Sequence, residues 1–269
     1  LEDIKAPDCF IVEKALKERL KIPVFHDDQH GTAIVVCAAV LNGLRLVGKE
    51  ISEARLVTAG AGAAALACLD LLVSLGLKPE HIIVTDIVGV VYEGRAEVMD
   101  PYKARYAVAT PHRTLEEALD GADIFLGLSA AGVLKAPWLM KMAENPLVFA
   151  LANPNPEIQP EEARAVRPDA ILATGRTDYP NQVNNVLCFP FLFRGALDCG
   201  ATEINEAMKR ACVQAIADLA RARPSEIVRQ AYGGMDLRFG PEYLIPKPFD
   251  PRLIEQVAPA VAEAAMASG

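Results

Sequence analysis

The chain has 269 residues, 52% of them apolar and 23% charged, with 35 acidic against 27 basic side chains for a formal charge of −8. That length suits one large α/β domain or two small ones, and that apolar content excludes disorder. The negative balance gives no basic footprint for nucleic acid or an anionic membrane surface. No unbroken apolar run reaches the ~20 residues of a membrane span, because Asn42 and Gly43 cut the run from Ala33 to Leu44, and Asp70 and Gly76 cut that from Ala61 to Leu77. The six cysteines are scattered in apolar contexts without a Cys-x-x-Cys pair. They read as reduced core residues of a cytoplasmic protein rather than a zinc site or disulfide framework. The chain opens without Met and ends inside an apolar helical pattern, Ala258 to Ala267, which gives it the look of a segment of something longer.

Residues Pro7 to Leu20 carry apolar side chains at a spacing near 3.6 and predict an amphipathic helix. Next comes Phe25-His-Asp-Asp-Gln-His-Gly-Thr32, with adjacent carboxylates Asp27 and Asp28 before a segment apolar all round, the mark of a buried helix. A second acidic pair, Glu2-Asp3, lies upstream. Carboxylates are the hard ligands that hold Mg²⁺ or Mn²⁺. They also suit the first turn of a helix, so spacing alone leaves capping and metal binding equally open. His26 and His30 flank the pair as ordinary polar residues or outer donors.

Arg55 to Ala59 reads as a strand, followed by Gly60-Ala61-Gly62-Ala63-Ala64-Ala65 and an Ala/Leu-rich helix that stops at Gly76. The next strand, His81 to Thr85, ends in Asp86, at 86 − 60 = 26 positions after the first glycine. A Gly-x-Gly-x-x-Ala turn between strand and helix lets backbone approach a pyrophosphate, and an acid at the end of the second strand suits a ribose hydroxyl. Thr114 to Glu117 forms a capping box. Further strands run over Asp123 to Leu128, Leu147 to Ala152 and Ala170 to Thr174, with Pro137 opening a helix through Met142. Apolar strands alternating with helices predict a Rossmann-type, doubly wound parallel sheet, with extra N- and C-terminal helices. Ligands of such sheets bind at the strands' carboxyl ends, where Asp86, Ser129, Asn153 and Gly175 fall. Asn181 beside Pro180 reads as turn chemistry, whereas Asn184-Asn185 before an apolar helix leans to a site. Helices follow over Thr202 to Ala222 and from Asp250-Pro251 onward.

Taken together, Leu1-Glu2-Asp3-Ile4, Val24 to Ala33, the Gly60–Ala65 turn, Tyr92-Glu93-Gly94-Arg95, Ala152 to Glu157 and Asn184-Asn185 resemble the bacterial malic enzymes. The likeness is strongest to the type whose longer members carry a phosphotransacetylase-like extension, and it runs along essentially the whole chain. The resemblance implies residues 1–50 as a helical segment with the metal-site acids and 51–269 as the NAD(P)-binding domain with C-terminal helices. It implies Glu2, Asp3 and Asp28 as ligands of Mg²⁺ or Mn²⁺, and Asp27 beside them supporting a catalytic lysine. Gly60, Ala61, Gly62 and Ala63 would cradle the cofactor phosphates, with Asp86 toward the ribose. Asn153 and Asn185 would reach the nicotinamide and the bound malate. The implied reaction is oxidative decarboxylation of L-malate to pyruvate and CO₂, with NADP or NAD as acceptor, in a homo-oligomer. The family's catalytic tyrosine and lysine lie in an N-terminal domain outside this sequence, so the chain alone is expected to be inactive. The rivals are a metal-independent amino-acid or tetrahydrofolate dehydrogenase domain and a non-catalytic dinucleotide-binding domain.

Overall fold

A computed structural model describes residues 1–224, 226–233 and 237–268. In chain order the elements are α1 (Asp8–Arg19), α2 (Asp27–Val47), β1 (Leu56–Ala59), α3 (Ala63–Ser74), β2 (Ile82–Asp86), β3 (Gly89–Val90), α4 (Pro101–Ala104), α5 (Leu115–Ala118), β4 (Ile124–Gly127), β5 (Leu147–Ala150), α6 (Pro160–Val166), β6 (Ile171–Thr174), α7 (Phe189–Asp198), α8 (Glu206–Arg221), α9 (Glu226–Ala231) and α10 (Arg252–Ser268). They fall into two compact units: residues 1–42 with 183–269, and residues 43–182. The boundary lies inside α2, and the C-terminal helices group with the N-terminal ones.

The 43–182 unit is built on a six-stranded sheet in the order β3-β2-β1-β4-β5-β6. Every pairing is parallel except β2 with β3, a two-residue antiparallel edge that the sequence reading did not anticipate. Val57 and Phe125 stand in register, as do Phe125 with Val148 and Val148 with Leu172. These four belong to one apolar cluster with Leu119, Leu139 and Ile158. The alternate row, Leu56, Ile124, Leu147 and Ile171, is buried as well. Both faces of the strands are therefore covered, which is why they read as continuous apolar runs rather than alternating ones. Pro137 opens a 3-10 segment, Ala136–Lys141, instead of the expected α-helix, and α6 is an addition to that reading. Arg167 fixes the end of the 3-10 segment: its guanidinium donates to the carbonyls of Leu139, Met142 and Ala143 and pairs with Asp169.

The other unit packs α7, α8 and α10 together. Gly195 lets α7 and α10 close, since a Cβ there would stand 2.4 Å from the Ala258 carbonyl oxygen. The buried helix expected after the acidic pair is α2, which runs through both Asn42 and Gly43. Gly43 sits so tightly on Leu147 that a Cβ would lie 2.8 Å from its Cδ1. At 21 residues, with a mean hydropathy of 1.5 in its most apolar window, α2 is by length and composition long and apolar enough to cross a membrane. Its stretch from Ala33 to Val40 is nevertheless buried within the fold.

Asn42 shows how a polar group survives in that helix. Its Nδ2 donates to the carbonyls of Ala217 and Leu244 at 2.9 and 2.7 Å, and its Oδ1 accepts from Arg221 at 3.0 Å. Replacing it with Leu deprives all three partners in a buried place, each worth ~1–3 kcal/mol when left unmade. We expect Asn42→Leu to lower the unfolding free energy by about 2–4 kcal/mol, read from the midpoint of urea denaturation. A change below about 0.5 kcal/mol would show that these bonds are replaced by water.

Candidate active site

In the sheet unit, the turn after β1 is shaped by two glycines that do different work. Gly60 has φ +113, outside the range of L side chains, and a Cβ there would stand 2.4 Å from the Leu128 carbonyl oxygen. Its N–H donates to the Thr85 carbonyl at 2.9 Å and its own carbonyl accepts from the Thr58 hydroxyl at 2.8 Å, so the turn is braced on both neighbouring strands. Gly62 is the N-cap of α3, in extended backbone with nothing within 4 Å of where a Cβ would be. No side chain caps α3 and its first turn holds no acid. Free backbone N–H groups at the positive end of a helix, facing an open space that only glycine leaves clear, make a site for phosphate oxygens. Ala61 and Ala63 flank that space.

Asp86 differs from expectation. Its Oδ1 accepts from Arg95 at 2.8 Å and from the Val88 N–H at 2.9 Å, while Oδ2 accepts from Arg95 again and from Lys103 at 2.9 Å. Burial opposes its ionised form, but the bonds from Arg95 and Lys103 outweigh that and bring its pKa down to about 2. A carboxylate has about four acceptor positions, and four donors already fill them. The acid is thus a brace for the β2–β3 turn with no position free for a ribose hydroxyl. Arg95 is equally committed, its side chain only 2% exposed. Asn153 lies at the end of β5 with its amide over Gly175, where a Cβ would come within 2.7 Å of Nδ2.

In the other unit, α2 begins with Asp27 and Asp28, and the N-terminal segment is tied to it. The Leu1 backbone nitrogen donates to the Phe25 carbonyl at 2.7 Å, the Asp27 N–H donates to the Leu1 carbonyl at 3.0 Å, and the Asp3 N–H donates to Asp28 Oδ2 at 2.8 Å. Asn185 donates to Asp27 Oδ2 at 2.6 Å, joining the start of the 185–187 turn to the start of α2. Asp27 Oδ1 is buried without a hydrogen-bond partner. Burial, then the charges of Glu2 and Asp28, push the Asp27 pKa up to about 6. Gly31 makes the packing possible: a Cβ there would stand 2.0 Å from Asp27 Oδ1.

Among the described residues no group of three or more His, Cys, Asp or Glu side chains is arranged to hold an ion. The Asp3 backbone N–H donates to Asp28. The donor chemistry is still that of a hard divalent cation: Asp27 Oδ1 is a buried carboxylate oxygen without a partner, and the charges of Glu2 and Asp28 act on it. His26 is fully buried, neither ring nitrogen has a hydrogen-bond partner, and Nε2 lies 3.5 Å from Asp28 Oδ2. His30 instead bonds Glu13 at 2.8 Å, clamping α1 to α2. Asn184 accepts from the Val186 N–H at 2.9 Å, a cap rather than a site residue, and Asn181, expected to serve a turn locally, donates instead to the Leu172 carbonyl in β6 at 2.9 Å in a buried place. Sequence reasoning overlooked Gly31, Lys103 and Glu157. The Pro-rich loop ending in Glu157 was in view, but its burial has no local signal.

Strand order, glycine turn and uncapped helix define a dinucleotide-binding domain of the Rossmann type. Comparison with known proteins narrows this: the family model described as malic enzyme, NAD binding domain, matches residues 29–229. The chain belongs to the malic enzyme NAD-binding domain family. It is 65% identical to a NAD-dependent malic enzyme of Rhizobium meliloti and 64% identical to a NADP-dependent malic enzyme of Salmonella typhimurium, all of this chain being covered in each case. It spans 35% and 36% of those two proteins, about a third of their length. Among solved structures, the malic enzyme of Pyrococcus horikoshii is 42% identical with a TM-score of 0.88, covering 100% of this chain and 61% of that one.

Proposed function

We propose that the protein carrying this chain oxidatively decarboxylates L-malate to pyruvate and CO₂, with NADP or NAD as hydride acceptor and Mg²⁺ or Mn²⁺ required. The observation that carries this reading is the Asp27 carboxylate, held on one oxygen by Asn185 and left buried and unpartnered on the other, among the acids Glu2 and Asp28. A buried acceptor of that kind awaits a cation or a charged donor. In this reading Glu2, Asp3 and Asp28 hold the divalent ion, and Asp27 stands beside them to orient the family's catalytic lysine. When bound, the ion supplies Lewis acidity toward the C2 oxygen of the substrate. The Gly60–Ala63 turn holds the pyrophosphate by its N–H groups, while Asn153 and Asn185 orient the nicotinamide and the malate.

Dinucleotide choice follows from Asp86. An acid with free lone pairs would favour a bare ribose 2′-hydroxyl and repel a 2′-phosphate. Here Arg95 and Lys103 neutralise it, which supports acceptance of NADP. We also place the intact protein in the cytoplasm as a homo-oligomer. The test is a chelator titration of the full-length protein with malate and each dinucleotide. Turnover should vanish with chelator, return with Mn²⁺, and show a higher kcat/KM for NADP. Turnover indifferent to chelator would favour a metal-independent dehydrogenase instead.

A further inference from the structure

Glu157 is fully buried at the far end of the loop that follows β5. Its Oε1 accepts from the Ser129 N–H at 2.9 Å and from the Ser129 hydroxyl at 3.2 Å, and its Oε2 accepts from the Ala152 N–H at 3.0 Å. Gly127 makes the room, since a Cβ there would stand 2.4 Å from the Glu157 carboxyl carbon. Beside it the Gly132 and Leu134 N–H groups donate to the carbonyls of Pro156 and Glu157 at 3.2 and 3.1 Å. The loops leaving β4 and β5 are thus closed on each other around one carboxylate. Every donor to it is neutral, and among the described residues no cation pairs with it. Burying such a group for packing alone is expensive, because neutral donors offset only part of the lost hydration.

In a doubly wound sheet of this order the pyrophosphate sits at the first strand-to-helix turn and each mononucleotide lies over one half. One half is β1-β2-β3, where Asp86 stands; the other is β4-β5-β6, and Glu157 joins the carboxyl ends of β4 and β5 there. We propose that Glu157 is a positioning residue of the nicotinamide half. Through the Ser129 and Ala152 N–H groups it fixes the loop that carries Asn153, and its negative charge favours the positively charged oxidised ring over the neutral reduced one. This rests on the dinucleotide reading above.

The test is calorimetric titration of the full-length protein with oxidised and with reduced dinucleotide. Glu157→Gln keeps the shape and removes the charge, so oxidised affinity should fall about fivefold relative to reduced affinity, the size expected of one charge acting through partly screened protein. Ser129→Ala leaves the charge and removes a donor that neutralises it. It should move the same ratio the other way, about twofold, and it keeps the inference testable if Glu157→Gln does not fold. A merely structural role would weaken both forms equally. An unchanged ratio in the variants that fold overturns the proposal while leaving the dinucleotide reading intact. An unmodified protein that binds neither form overturns both.

Discussion

Asp28→Asn in the full-length protein should lower metal-dependent turnover by at least about 100-fold, more than the loss typical of an outer partner of a metal, while dinucleotide affinity stays within a few-fold. The substitution is mild for the fold, because an amide oxygen can still accept the Asp3 N–H that Oδ2 now holds at 2.8 Å. What it removes is a formal charge from the acid group at the start of α2. With a hard cation, a neutral amide is a far poorer ligand than a carboxylate. Initial rates at saturating Mn²⁺, set beside calorimetric dinucleotide titrations, separate the two effects. Equal loss of turnover and nucleotide affinity would make Asp28 a structural cap.

Gly60→Ala should damage folding and binding together. The backbone there has φ +113, and the added methyl would meet the Leu128 carbonyl oxygen at 2.4 Å. Strain of that kind costs about 1–3 kcal/mol before the clash is counted. We expect a loss of about 2–4 kcal/mol in unfolding free energy and dinucleotide affinity too weak to measure. Gly62→Ala is the contrast. Its backbone is extended and its Cβ would enter open space, so stability should be unchanged while affinity drops, because the methyl occupies the room left for phosphate oxygens. If Gly62→Ala binds as tightly as the unmodified chain, the cradle is not where the pyrophosphate lies.

The sheet and its turn were readable in the sequence because their causes are local. Strands covered on both faces must be apolar throughout, and the strand-Gly-x-Gly-x-x-Ala-helix order follows from backbone sterics at Gly60. The β3 edge was not readable: two residues carry no period. Nor was the 3-10 form of Ala136–Lys141, since Pro137 suits the first turn of either helix. The site was legible in kind but not in arrangement. Asp86 stands where a ribose acid belongs, yet Arg95 and Lys103, 9 and 17 positions later, consume its lone pairs. Asp27 was visible as one of a pair, but its bond to Asn185, 158 positions away, exists only in the fold. Glu157 was passed over because its burial depends on the loop after β4, where Ser129 supplies two donors, as well as on Ala152 in its own loop.

Product stoichiometry tests the proposed malate-oxidising, decarboxylating site most directly. The full-length protein should be given L-malate, Mn²⁺ and NADP or NAD, with reduced dinucleotide followed by absorbance and pyruvate and oxaloacetate assayed separately. One pyruvate is expected for each reduced dinucleotide, with no oxaloacetate building up and no turnover without the metal. Oxaloacetate accumulating in place of pyruvate, or no reduction of either dinucleotide by malate, would contradict it.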